Sequence, residues 1–138
     1  MIETLTLDQI NKIPEGFTGN IAWHLGHMVA THKGLVYQLN GLSGGLDKEF
    51  VKKYKKGSVP ENPITEEELS FIKKKLLEQV DELEKDLKDE DQWGDTHEYA
   101  TSFDFTITTL EEAVKFSNIH QAMHVGYILA LRRLVTTT

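Results

Sequence analysis

Two histidines one helical turn apart, His120 and His124, stand in the most apolar stretch of the chain, Ala113 to Val135. Burying two imidazoles among Phe116, Ile119, Met123, Val125, Ile128 and Leu131 costs free energy unless their ring nitrogens find partners. A divalent metal is one such partner, because residues four apart on a helix share a face, with Cβ atoms about 6 Å apart, and both rings can reach one cation. A third ligand has to come from elsewhere. The segment Trp23-His24-Leu25-Gly26-His27 is the obvious donor, with His24 and His27 at i and i+3 on a second apolar segment. Three imidazoles from two helices form a facial set with open positions, which suits a catalytic metal better than a structural one. The same residues also suit hydrogen-bonded histidines of a core or its boundary, and spacing does not separate the two readings. A metalloprotease helix is excluded, since Gln121-Ala122-Met123 lacks the glutamate that follows the first histidine there.

Composition narrows the donor set. Cysteine is absent, so thiolate ligands, disulfides and a cysteine nucleophile are excluded together. The 138 residues are read as one domain, 1–138, long enough to bury a core. A net charge of −7 argues against a nucleic-acid partner, and the basic cluster Lys48, Lys52, Lys53, Lys55 and Lys56 reads as a solvated segment. No apolar run approaches the roughly 20 residues of a membrane span and no signal-peptide layout opens the chain, so a soluble cytoplasmic protein is expected.

The helical period recurs and the strand period does not, which predicts an all-α domain. Thr6 to Gln9 has capping-box form and predicts a short helix to about Lys12. Asn20 caps a helix that continues to about Leu39, where Asn40-Gly41 stops it. Within it, Gly26 and Gly34 suggest close approach of a neighbour. Residues 40–64 read as a long connection with an amphipathic turn from Asp47 to Tyr54. A capping box at Thr65-Glu68 opens a helix with an apolar seam of Leu69, Ile72, Leu76, Val80, Leu83 and Leu87. Residues 89–109 read as irregular. Thr109 to Glu112 caps a last helix that is apolar around most of its circumference and so is expected in the middle of a bundle.

The segments Asn20 to Met28, Asp47 to Phe50 and Asn118 to Ile128, in that order, resemble the DinB-like (damage-inducible, DinB/YfiT-related) superfamily, and the likeness runs from about Leu5 to Leu134. The resemblance implies a four-helix bundle with a long crossover and a divalent metal on one histidine of the second bundle helix and two of the last. Carried onto this chain, those ligands are His27, His120 and His124. His24 occupies a position that is often Asn in the family and is assigned to the second shell or to substrate. No motif stands behind His32 or His97, and both are expected at the surface. Relatives of this kind begin with a full-length helix where only about a turn precedes Thr6 here. The first helix thus reads as truncated, which predicts a homodimer or a helix supplied by another chain.

Zn²⁺ and Ni²⁺ suit such a site best, and Fe²⁺ also accepts imidazole. Two chemistries follow. In thiol transfer, the metal lowers the pKa of a thiol that attacks an electrophile, and the sulfur has to belong to a small-molecule cosubstrate. The resemblance implies this activity in some members, with bacillithiol, mycothiol or glutathione, as detoxification or stress chemistry. In hydrolysis, a metal-bound water near pKa 7 needs a general base, for which Asp104 and Glu98 are the candidates. A non-catalytic metal- or ligand-binding module, with 40–64 and 89–109 as its lid, is the competing class. No residue is assigned as catalytic. Tyr99 and Tyr127 are placed near the open side of the metal, with Tyr127 otherwise a core residue whose hydroxyl lies at the edge. Metal release is expected below about pH 6, where imidazole protonates.

Overall fold

Side-chain caps start the helices of this computed structural model, which describes residues 1–137. Thr6 and Gln9 exchange the reciprocal bonds of a capping box to open α1, Leu7–Asn11. Asn20 accepts from the Trp23 amide to open α2, Ile21–His32, and its own amide group donates to the Asn11 carbonyl, tying α2 to the end of α1. Asp47 starts α3, Lys48–Tyr54, where the amphipathic turn is expected. Thr65 caps α4, Glu66–Leu87, and Thr109 with Glu112 forms a full capping box for α5, Leu110–Thr136. At Thr65 only half of the box forms, because the Glu68 carboxylate turns to Lys53 and Tyr54 instead.

The long second helix changes pitch before it ends. After His32 the backbone widens into a π-helical turn over Lys33–Tyr37, tightens to 3₁₀ geometry over Gln38–Asn40, and stops at Gly41, whose φ of 80° is left-handed. The stop falls where Asn40-Gly41 predicts it, but periodicity carries no sign of the wider turn. Residues 89–109 are not wholly irregular either: Tyr99–Ala100 (β1) and Thr106–Ile107 (β2) pair antiparallel in a small hairpin. Asp104, φ 57°, lies in its turn.

The all-α expectation holds, with one change in its layout. The central helix is α2, not α5: ten of its twelve residues are buried, and it packs against α1, α3, α4 and α5. α5 buries Ala113, Phe116, Ser117, His124, Ile128, Leu131 and Val135 on one face and leaves Ile119, Met123, Tyr127, Leu129 and Leu134 exposed on the other. Its all-round hydrophobicity therefore does not mark a central position. The seam of α4 is likewise shorter than its pattern: Leu69 and Ile72 are buried, whereas Val80 is 66% exposed. No helix among the described residues is long and apolar enough to cross a membrane.

Candidate metal centre

α2 and α5 bring the two histidine segments together. His27, His120 and His124 each offer a ring nitrogen such that the three lie within 4.8 Å of one another. His120 Nε2 and His124 Nε2 are 3.1 Å apart. Two nitrogens bound to one ion at 2.0–2.1 Å stand about 3.0–3.4 Å apart, so this pair already has the spacing of a shared metal. The triangle's longest side is wider, and the rings have to draw together to close it.

Local packing sets the aim of each ring. Gly26 lets the Tyr54 ring lie against α2: a Cβ there would meet Tyr54 ring carbons at 2.4 Å. The same Tyr54 supplies its backbone carbonyl to His27 Nδ1 at 2.7 Å. A carbonyl only accepts, so Nδ1 carries the proton and Nε2 is an acceptor, here 3.2 Å from Thr31 Oγ1, the tautomer in which a backbone oxygen orients an imidazole for a metal. Trp23 stacks on the His27 ring, 4.6 Å between centroids at 13°, and its indole N–H donates to Ser58 Oγ. On the other side, His24 Nδ1 lies 2.8 Å from His124 Nδ1. One of these two nitrogens donates and the other accepts, which leaves His124 Nε2 facing His120. His24 thus touches the His124 ring and stands outside the group of three. Its ring also packs on Tyr127, 4.4 Å between centroids.

The donor set is neutral. Burial pushes His24 and His120 down to about 4 and His124 to about 3, with the neighbouring imidazoles adding repulsion, and burial also lowers His27 against the opposing pull of the Tyr54 carbonyl. Neutral imidazole is the form that binds metal. His120 Nδ1 is buried without a hydrogen-bond partner, one more sign of a polar cluster not arranged for hydrogen bonding alone. These residues fit a divalent ion.

Two cavities flank the cluster. One, of about 280 Å³, reaches His27, His120 and His124 and has Tyr99, Ser102 and Phe103 in its far wall. The other, of about 320 Å³, lies by His24, Trp23, Met123 and Tyr127. No carboxylate lines either. The candidate bases Asp104 and Glu98 are exposed outside both cavities, a consequence of the hairpin that carries them toward solvent. Tyr99 reaches the open side of the cluster as expected. Tyr127 is 44% exposed rather than a core residue, with only His24 and the edge of Phe17 against its ring among the aromatic side chains of the described residues. His97 is exposed, as expected. His32 is not at the surface: it is 4% exposed, with Nδ1 3.2 Å from Ser117 Oγ. The end of α2 packs it against Ser117 of α5.

Sequence reading missed Trp23 and Tyr54 as supports. Trp23 stands beside His24 in the histidine segment, so its stacking role was open to inspection. Tyr54 had only Gly26 to announce it.

A three-histidine cluster between two helices of an all-α fold defines a class. The chain belongs to the DinB superfamily, whose family model matches residues 1–128. No curated protein and no solved structure matches the chain.

Proposed function

We propose that His27, His120 and His124 bind one divalent ion, Zn²⁺ or Ni²⁺ ahead of Fe²⁺, and that the protein is a metal-dependent enzyme that transfers a small-molecule thiol to an electrophile. The observation that carries this reading is the 3.1 Å approach of His120 Nε2 and His124 Nε2 beside a third ring whose tautomer is already set by a backbone carbonyl. When bound, the ion supplies Lewis acidity to a thiol in its open position. His24 holds the His124 ring, Tyr54 and Trp23 hold the His27 ring, and Phe103, Phe116 and Met123 line an apolar wall beside them. In the net reaction a carbon–sulfur bond forms, the leaving group departs with its bonding electrons, and the thiol proton passes to solvent. The absence of a carboxylate from both cavities favours thiol chemistry over hydrolysis, which needs a positioned base.

Elemental analysis of tag-free protein should find about one metal per chain, and turnover of a thiol with an electrophile should need that metal and vanish in His124→Ala. Protein that stays metal-free in excess Zn²⁺ and Ni²⁺, or turnover indifferent to a chelator, would overturn the reading.

The exposed stripe Ile119, Met123, Tyr127 and Leu134 of α5 supports a homodimer through that helix. A second copy there would roof the cavities that Met123 and Tyr127 line. Sedimentation should show a dimer for the native chain and a monomer for Leu134→Asp. A native monomer at micromolar concentration excludes it.

A further inference from the structure

In a chain of net charge −7, two lysines face a cavity with no carboxylate in its wall. This cavity, about 390 Å³, lies along the later turns of the second helix and is walled by Leu35, Leu39, Val51 and Tyr99 with Lys55 and Lys56. It adjoins the cavity of the histidine cluster, for Thr31, Leu35, Lys56 and Tyr99 line both. Lys56 therefore stands at the junction. Neither Lys55 nor Lys56 takes part in an ion pair among the described residues, in contrast to Lys33 and Lys53, which meet Glu82 and Glu68. The Lys56 ammonium donates instead to Ser102 Oγ at 2.8 Å, which holds it against the hairpin that walls the cluster.

We infer that the two cavities form one cleft for an organic anion, its acid group on Lys56 with Lys55 beside it, its apolar body along Leu35, Leu39 and Tyr99, and its reactive end at the three histidines. The physical case has three parts. A cationic group at the mouth of an apolar pocket recognises a carboxylate better than water does, because the low-dielectric walls weaken screening. The pocket is of ligand size and mostly apolar, with a few convergent polar groups. The wider negative charge of the chain repels anions elsewhere, so this is where an anion gains. The substrate class is thus a small carboxylate with an apolar spacer. The identity of its reactive end as a thiol rests on the metal-centre reading above.

The test uses full-length protein loaded with Co²⁺ and compares 6-mercaptohexanoate with 6-mercaptohexanol, reading the thiolate-to-metal absorption band. The acid should bind about fivefold tighter at low ionic strength, a preference that shrinks with added salt. It should vanish in Lys56→Gln and persist in Lys74→Gln, a lysine of α4 outside these cavities. Both substitutions fall on exposed side chains, so folding is preserved. Equal binding of acid and alcohol to the native protein, or a preference that survives in a Lys55→Gln, Lys56→Gln double variant, overturns the inference. A second measurement separates it from the metal-centre reading: hexanoate against hexanol on metal-free protein, followed by amide shifts of the cleft residues. If neither thiol gives a band while hexanoate still binds through Lys56, the thiol reading fails and the anion cleft stands. If both thiols give bands of equal affinity and hexanoate does not bind, the anion cleft fails alone.

Discussion

The second helix meets two kinds of neighbour along its length, and they are built on opposite rules. Its first turns present His24 and His27 to α5, where four imidazoles gather with no carboxylate in the flanking cavities. Its π-helical continuation presents Lys33 and Tyr37 to α4, and there the polar groups are paired. Lys33 meets Glu82 at 2.6 Å and lies over the Tyr37 ring, and the Tyr37 hydroxyl donates to Asp86 at 2.6 Å. Burial pushes the Tyr37 hydroxyl up, and its bond to Asp86 pushes the same way. Satisfied donors and acceptors have no capacity left for a ligand, whereas bare lone pairs aimed at one point do. Burial alone does not mark function. His32 is as buried as His27, but its partner is a single serine hydroxyl.

That contrast breaks first at the rings themselves. His120→Ala should lower metal affinity at least about a hundredfold, with the fold kept, since its ring is only partly buried. Lys33→Met, which replaces one end of the ion pair by an apolar chain of similar length, should leave affinity unchanged. Metal titration of both variants checks the pair, and a loss in Lys33→Met equal to that in His120→Ala would erase the distinction between the two regions.

Gly26→Ala sharpens it from the packing side. The added methyl would meet the Tyr54 ring at 2.4 Å, so either α2 or α3 shifts. Overpacking of this kind costs up to about 3 kcal/mol, read as a fall in the urea midpoint. Because Tyr54 also holds His27, metal affinity should drop as well. Gly34→Ala serves as the reference. A Cβ there meets only the Gln38 side chain at 3.8 Å, so both readouts should stay near native.

The smallest expected effect is that of pH on His32. Burial lowers this imidazole to about 4, with the Lys33 charge adding to the shift. Between an unfolded value near 6.5 and that folded value, the unfolded chain binds the extra proton. The stability from neutral His32 is therefore intact above about pH 6.5 and lost as pH falls toward 4, amounting to about 2 kcal/mol between pH 7 and pH 5. Metal-free His32→Gln should lose less stability over that interval than the native chain. Parallel pH curves for the two would remove His32 from the account.

Helix existence, most caps and the two histidine segments were legible in the residues, whereas the choice of His27 over His24 came from the family resemblance. Asn20, Thr65 and Thr109 announce their helices because a side-chain oxygen next to an apolar-periodic run has one common use. His120 and His124 share a helical face by arithmetic alone. What could not be read was what each helix meets. The apolar circumference of α5 resembles that of a central helix, and only the packing assigns the centre to α2. His32 carries no motif, and its burial depends on the packing of the end of α2 against Ser117 of α5. Gly26 and Gly34 look alike in sequence, but only Gly26 has a neighbour too close for a side chain.

Local sequence thus determined the helices, the neutral all-nitrogen donor set and the two segments that carry it, because capping, periodicity and side-chain chemistry act over a few residues. Tertiary structure alone decided that the rings converge, that Tyr54 sets the His27 tautomer and His24 meets His124, that the candidate carboxylates stay outside, and that Lys56 stands where two cavities join. Those are contacts between residues dozens of positions apart, and their geometry comes from how helices pack.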